Sequence, residues 1–181
     1  MTSPLHALTH IPPSKATVDF EELYQEHFAF VWRCLRALGV SEANLDDVCQ
    51  EVFLVVHRRL ADYRGEGKPR TWVYGILRNV ASNHRRTLRR RGENGALEQE
   101  PQSEGSGPLD HVLLQEDAAF LEAFLESVTA AKREVFALAL IEQLSIPEVA
   151  EILGVPVNTA YTRLRNVRLD FQRALAQRSR G

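Results

Sequence analysis

The stretch Ser145–Ala176, SIPEVAEILGVPVNTAYTRLRNVRLDFQRALA, sets the reading of the whole chain. Ser145 followed three residues on by Glu148 forms a capping box, in which the hydroxyl takes a free amide of the first turn while the carboxylate reaches back. Pro147 suits that turn, whose amides have no helical partner to lose. Val149, Ile152 and Leu153 give the short helix one apolar face, and Gly154 before Val155 and Pro156 forces a turn. Beyond it Val157, Ala160, Leu164, Val167, Phe171 and Leu175 recur at spacings of three and four, the buried stripe of a second helix. The opposite side carries Asn158, Thr159, Thr162, Arg163, Arg165 and Asn166, with Tyr161 and Arg168 at its margins.

Two helices joined by a tight glycine turn, the second arginine-rich on its outer side, follow the pattern of a DNA-reading helix-turn-helix. Arginine can place two donors on guanine O6 and N7, asparagine can pair two ways with adenine, and a threonine methyl can meet a thymine methyl. An ordinary helical hairpin with a solvated cationic face is the plainer alternative. Capping box, glycine turn and polar outer face coincide in the right order, and that favours DNA.

Charge is segregated along the 181 residues although the formal total is only −2. From Lys15 to Val56 eight acids face three bases, whereas from His57 to Arg91 eleven bases face two acids. Gly92 to Glu122 holds eight acids and no Lys or Arg, and Ala160 to Gly181 is basic again. A nucleic acid responds to local potential, so a near-neutral total is no obstacle. No apolar run approaches the roughly 20 residues needed to cross a bilayer, and the start, MTSPLHALTHIPPSK, lacks the basic segment and apolar core of a secretory signal. A cytosolic protein without direct membrane insertion is expected. Cys34 and Cys49 belong to no CxxC pair or metal-ligand spacing, which reads as two core thiols, with a bridge between them as the alternative.

In chain order, residues 1–18 read as a loose tail, given Pro4, Pro12 and Pro13. Asp19 with Glu22 makes another capping box. Phe20, Leu23, Tyr24, His27, Phe28, Val31, Leu35 and Leu38 then trace one face of a helix that Gly39 ends, with His27 as a packed core histidine. In the next helix, Leu45 to Leu60, the buried side is Leu45, Val48, Val52, Phe53, Val56 and Leu60, while Asp46, Asp47, Gln50, Glu51 and Leu54 face out. An apolar anchor rimmed by carboxylates suits docking of a basic partner. No ligand cluster or general base accompanies the three acids, so neither a metal nor a catalytic site is expected. Gly65, Gly67 and Pro69 bar a regular helix before Arg70. Trp72, Val73, Ile76, Leu77, Val80 and Leu88 then restore the period, surrounded by Arg70, Tyr74, Arg78, Asn79, Arg85 and Arg86. Aromatic rings beside guanidinium groups behind a pliable loop suit unpaired bases, although Trp72 reads equally as a core residue. GENGALEQEPQSEGSGPL, residues 92–109, reads as a flexible acidic linker. Helical spacing resumes from Asp110 to Val128, and Thr129 can cap a helix whose Val135, Phe136, Ala139 and Leu140 pack on the helix-turn-helix. The expected fold is all-α, two small helical domains at 19–91 and 110–181 joined by that linker.

The two halves together resemble the sigma-70 family of bacterial RNA polymerase sigma factors, in its short extracytoplasmic-function (ECF) group. DDVCQEVFLVVHRRL looks like the helix such proteins dock on the polymerase clamp, and YRGEGKPRTWVYGILRNVASNHRR like the segment that melts and reads the −10 element. EVFALALIEQLSIPEVAEILGVPVNTAYTRLRNVR looks like the domain that reads the −35 element. The resemblance implies that Asp47, Gln50, Glu51 and Leu54 face the polymerase. It implies that Arg64, Gly65, Lys68, Arg70, Trp72, Arg78, Asn79, Arg85 and Arg86 serve the −10 region. It further implies that Tyr161, Thr162, Arg165 and Asn166 face −35 bases, with Thr159, Arg163 and Arg168 nearer the phosphates. Its implied partners are core RNA polymerase, promoter DNA and an anti-sigma factor, with no cofactor, no small-molecule substrate and no active site. A self-sufficient helix-turn-helix repressor would explain Ser145–Ala176 but leave the acidic face and the Trp72 segment idle. A nucleic-acid-processing enzyme built on the early carboxylates with His57 or His84 has no supporting motif.

Overall fold

In a computed structural model that describes residues 19–63, 65, 67–94 and 110–179, the chain folds into helices, with no strand among those residues. The expected tail lies outside the described residues, as does all of the expected linker beyond Asn94. Helix α1, Phe20–Ala37, carries Glu21 and Glu22 in its first turn, where the helix dipole favours anions, and stops where Gly39 takes a φ of +86°. Asp19 occupies the N-cap position without a side-chain hydrogen bond, so the capping interaction expected there does not form. Helix α2, Glu42–Arg59, starts three residues before Leu45 and tightens into a 3-10 turn at Leu60–Asp62. Helix α3, Pro69–Asn94, accepts proline in its first turn and continues three residues into the stretch read as linker.

Val31, Leu35, Val52, Val56, Val73 and Leu77 form the fully buried centre of α1–α3. Each such side chain stabilises the fold by about 1.5–3 kcal/mol through the apolar area it removes from water. Two residues assigned to buried stripes, Phe28 and Leu88, are instead exposed. Tyr74, expected on the basic surface, is fully buried. The cause is cover from two directions: Tyr74 lies beside the Phe30 ring of α1, centroids 6.3 Å apart, and near Glu134 from the second half of the chain. Burial pushes the Tyr74 phenol well above its ordinary pKa.

The C-terminal lobe begins with α4, Asp110–Ser127, and α5, Ala130–Phe136, which passes into a π turn, Ala137–Ile141. Hydrophobic spacing predicts one continuous α-helix there and cannot distinguish the wider turn. Helices α6, Ile146–Leu153, and α7, Val157–Arg178, follow, joined at Gly154 in the left-handed region (φ 64°, ψ 38°). Phe124, Phe136 and Phe171 interlock with ring centroids 4.9–5.6 Å apart and tie α4, α5 and α7 together. Ala160, Leu164 and Val167 are buried as expected, but Val157 and Leu175 are exposed because they lie towards the two ends of α7.

The lobes pack on each other. Arg33 of α1 donates through Nε and Nη2 to both carboxylate oxygens of Glu142 at 2.6 and 2.8 Å, and Arg36 reaches Glu122 at 3.1 Å. Arg133, itself buried, donates to the Leu38 carbonyl at 3.2 Å and to the Glu126 carbonyl at 3.2 Å.

His27 is buried between the lobes, as a core histidine should be, and makes no side-chain hydrogen bond among the described residues. Desolvation lowers its pKa below 6.5, Arg70 adds to the effect and Glu26 opposes it. A histidine whose folded pKa is depressed takes up its proton more readily in the unfolded chain, so its contribution is complete above pH 6.5 and is lost as pH falls towards the folded value. Denaturant titrations between pH 7.5 and about pH 5 are therefore expected to show falling stability, with a flatter profile in His27→Leu. Equal slopes in the two proteins would exclude His27 as the cause.

Candidate nucleic-acid interface

The outer face of α7 is open. Tyr161 is 62% exposed, and Thr162, Arg165, Asn166 and Arg168 are exposed, while Thr159 and Arg163 are half-buried at its margins. The buried Ala160, Leu164 and Val167 fix the rotation of the helix and hence present this face to the outside. Thr162 Oγ1 donates to the Asn158 carbonyl at 2.8 Å, so its proton is engaged and its methyl is the free contact group. At the start of α6 the Glu148 carboxylate accepts from the Ser145 hydroxyl at 2.7 Å and the Ser145 amide at 3.0 Å. These bonds, hydroxyl first, hold Glu148 below the ordinary carboxylate range, with Lys68 adding to the shift.

The second surface is the loop before α3 and the basic side of that helix. Gly65 and Gly67 have φ values of +73° and +88°, and the Tyr63 hydroxyl donates to the Gly67 carbonyl at 2.8 Å. Trp72 is half-buried against Tyr63, with ring centroids 4.9 Å apart, so it braces the loop from beneath. Arg70 lies over the Phe30 ring at 5.2 Å. Lys68, Asn79 and Arg86 are exposed and Arg85 is half-buried; Arg64 lies outside the described residues. Arg78 is exposed but ion-paired to Glu134, and the Lys68 ammonium lies 3.7 and 3.6 Å from Glu148 and Glu151. The cationic set is thus assembled on α3 and the loop before it, with two of its members facing acids of the other lobe.

The third surface is a groove of about 640 Å³ between α1 and α2. Phe20, Tyr24, Phe28 and Phe53 line it, with the His57 ring edge-on to Phe20 at 4.9 Å, and Asp46, Asp47, Gln50 and Leu54 complete the wall. Leu54 is 49% exposed, and Glu51 is exposed on the same helix. Periodicity placed Phe20, Tyr24 and Phe28 in the core and so missed their share of this groove. Their aromatic run at every fourth position beside an acidic helix was the available signal. Cys34 and Cys49 are buried free thiols, and desolvation raises the pKa of both, Cys49 to about 11. Among the described residues no group of three or more His, Cys, Asp or Glu could hold a metal ion.

The family model described as Sigma-70 region 2 matches residues 23–91, and that described as Sigma-70, region 4 matches residues 121–171. The chain is 30% identical over 155 residues to the ECF RNA polymerase sigma factor SigL of Mycobacterium tuberculosis (strain ATCC 25618 / H37Rv), covering 83% of this chain and 87% of SigL. To the ECF RNA polymerase sigma-E factor of Escherichia coli (strain K12) it is 30% identical over 138 residues, 71% of this chain and 72% of that one. The fold is shared with the sigma factor RpoE of Bartonella quintana, solved with the anti-sigma factor NepR, at a TM-score of 0.66, 19% identity and coverage of 87% and 97%. It is shared also with CnrH, solved with the cytosolic domain of CnrY, at a TM-score of 0.66, 22% identity and coverage of 87% and 88%. The first match spans nearly all of α1–α3, with the groove and the basic helix, and the second takes in the open face of α7, so the regions carrying these surfaces are the regions the chain has in common with its relatives. With both regions in order and 30% identity to such a protein over 155 residues, the chain belongs to the extracytoplasmic-function group of the sigma-70 family, promoter-recognition subunits of RNA polymerase.

Proposed function

We propose that the work of this sigma factor is divided among the three surfaces. Tyr161, Thr162, Arg165 and Asn166 read −35 bases in the major groove, and Thr159, Arg163 and Arg168 hold the flanking phosphates. Gly65, Lys68, Arg70, Arg78, Asn79, Arg85 and Arg86, with Arg64, engage the −10 region, and Trp72 shapes that site from within. Asp47, Gln50, Glu51 and Leu54, together with Phe20, Tyr24 and Phe28, seat on the core polymerase. The domains follow as residues 19–91 and 110–181. The protein acts in the cytoplasm without a catalytic centre of its own, and an anti-sigma factor, such as the NepR bound to RpoE in the related structure, restrains it.

The observation that carries the reading is the orientation of α7: its apolar stripe is buried while Arg165 and Asn166 stand exposed on the far side. Transcription from a mapped promoter with purified core polymerase tests it. Loss of one bidentate base contact costs about 1–3 kcal/mol, so Arg165→Ala should lower initiation roughly 10- to 100-fold. The reading fails if no promoter yields a defined start and Arg165→Ala binds DNA as the unaltered protein does.

A further inference from the structure

Nothing inside the fold requires residue 75 to be glycine. Gly75 lies within α3, exposed, while its sequence neighbours Val73, Tyr74, Ile76 and Leu77 are buried and fix the rotation of the helix. The other glycines whose surroundings are described, Gly39, Gly65, Gly67 and Gly154, all take a positive φ that a side chain would strain. Gly75 does not, and a Cβ placed on it would meet nothing within 4 Å. In a helix interior only proline is less favourable than glycine, which loses the most backbone freedom on folding. Neither backbone geometry nor packing within the described residues offsets that cost, so the compensation lies outside them, in something that approaches the main chain closely.

The neighbours of Gly75 indicate what approaches. At 3.6 residues per turn, Lys68, Gly75, Asn79 and Arg86 fall on one line along the helix, in steps of seven, four and seven. Lys68 belongs to that line because its carbonyl accepts from the Thr71 amide at 3.0 Å and the Trp72 amide at 3.4 Å, opening the helix. All four residues are exposed. At a rise of 1.5 Å per residue the line is about 27 Å long. It has a cation at each end, with a hydrogen-bonding amide and a bare stretch of main chain between them. We propose that Gly75 is the point where the unpaired −10 strand crosses α3, its sugar-phosphate backbone lying directly on the helix main chain. Phosphates on either side then meet Lys68 and Arg86, and Asn79 donates to an adjacent oxygen. The assignment rests on the reading of α3 as the −10 surface. Gly75 acts through space alone, as a positioning residue: without a Cβ there, the strand sits low enough for the flanking side chains to reach it.

Gly75→Ala tests this role because two opposite signs are expected of it. In the free protein the melting temperature should rise by about 1–4 °C, since alanine is the better helix former. In the complex with core polymerase, affinity for a labelled single strand carrying the −10 sequence of a mapped promoter is read by fluorescence anisotropy. It should fall roughly 5- to 100-fold, the effect of forcing a methyl group into a closely packed contact. Gly75→Leu, bulkier but still a good helix former, should bind more weakly again. Salt dependence supplies a second signature. Arg86→Ala should reduce the slope of log affinity against log salt by about 0.7, one phosphate contact on a single strand. Gly75→Ala removes no charge and should weaken binding at every salt concentration with the slope unchanged. A stabilised Gly75→Ala with unaltered affinity, beside an Asn79→Ala or Arg86→Ala that binds more weakly, overturns the crossing at Gly75 and leaves the −10 surface standing. Unaltered affinity in all three overturns that surface as well. A Gly75→Ala that loses stability shows the space to be filled from within the chain, and one that no longer co-purifies with core polymerase shows polymerase rather than DNA against the helix. Either result overturns the proposal.

Discussion

Reversing both Asp47 and Glu51 to arginine is expected to abolish co-purification with core polymerase, the largest functional loss of any change considered. Both carboxylates are exposed on α2, whose Asp47 forms part of the wall of the aromatic groove. The groove offers apolar area, and acids at its rim suit a basic partner surface. Placing like charges across such an interface costs several kcal/mol, which converts to a loss of affinity of about 100-fold or more. Because neither side chain has a hydrogen-bond or ion-pair partner among the described residues, the helical circular-dichroism spectrum and melting temperature should hardly change. Leu54→Asp should weaken the same interaction by removing the apolar anchor. Retention on the polymerase equal to that of the unaltered protein would show that the partner seats elsewhere.

Phe136→Ala should produce the largest loss of stability. The ring is 4% exposed and lies 5.6 Å from Phe124 and 5.4 Å from Phe171, so it joins α5 to both α4 and α7. Truncating a buried phenylalanine costs about 3–5 kcal/mol through lost burial and the cavity left behind. For a chain of this size that lowers the melting temperature by roughly 6–20 °C. Since α7 is held in place partly through Phe171, recognition of duplex DNA should fall together with stability. Leu88→Ala, at an exposed position of α3, is the matched control and should change stability by less than about 0.5 kcal/mol. Similar melting of the two variants would mean that the three-ring cluster does not organise the lobe.

Local chemistry made most of the helices legible. Gly39 and Gly154 stop helices because their left-handed φ values are readily reached only without a Cβ, and Ser145 with Glu148 marks a helix start by a hydrogen bond spanning three residues. The open face of α7 was legible for the same reason: a period of 3.6 separates Ala160, Leu164 and Val167 from Arg165 and Asn166 whatever the helix packs against. Where a helix is covered from two directions, or only over part of its length, that periodicity misleads. Tyr74 went inside between the Phe30 ring of α1 and the side of the C-terminal lobe that carries Glu134, while Phe28, Leu88, Val157 and Leu175 remained outside where no described helix covers them.

By itself, the order of residues determined which segments are helical, where the glycine turn falls and which side of α7 is polar, since these depend on contacts within a few positions. Only the tertiary structure decided that Arg33 meets Glu142 across 109 positions, that Arg133 donates to the Leu38 carbonyl across 95, and that Lys68 and Arg78 face carboxylates of the other lobe. Ion pairs carry no sequence period, and any of the many acids in this chain could have met any of its arginines. Their pairing was settled by how the two lobes came to rest on each other.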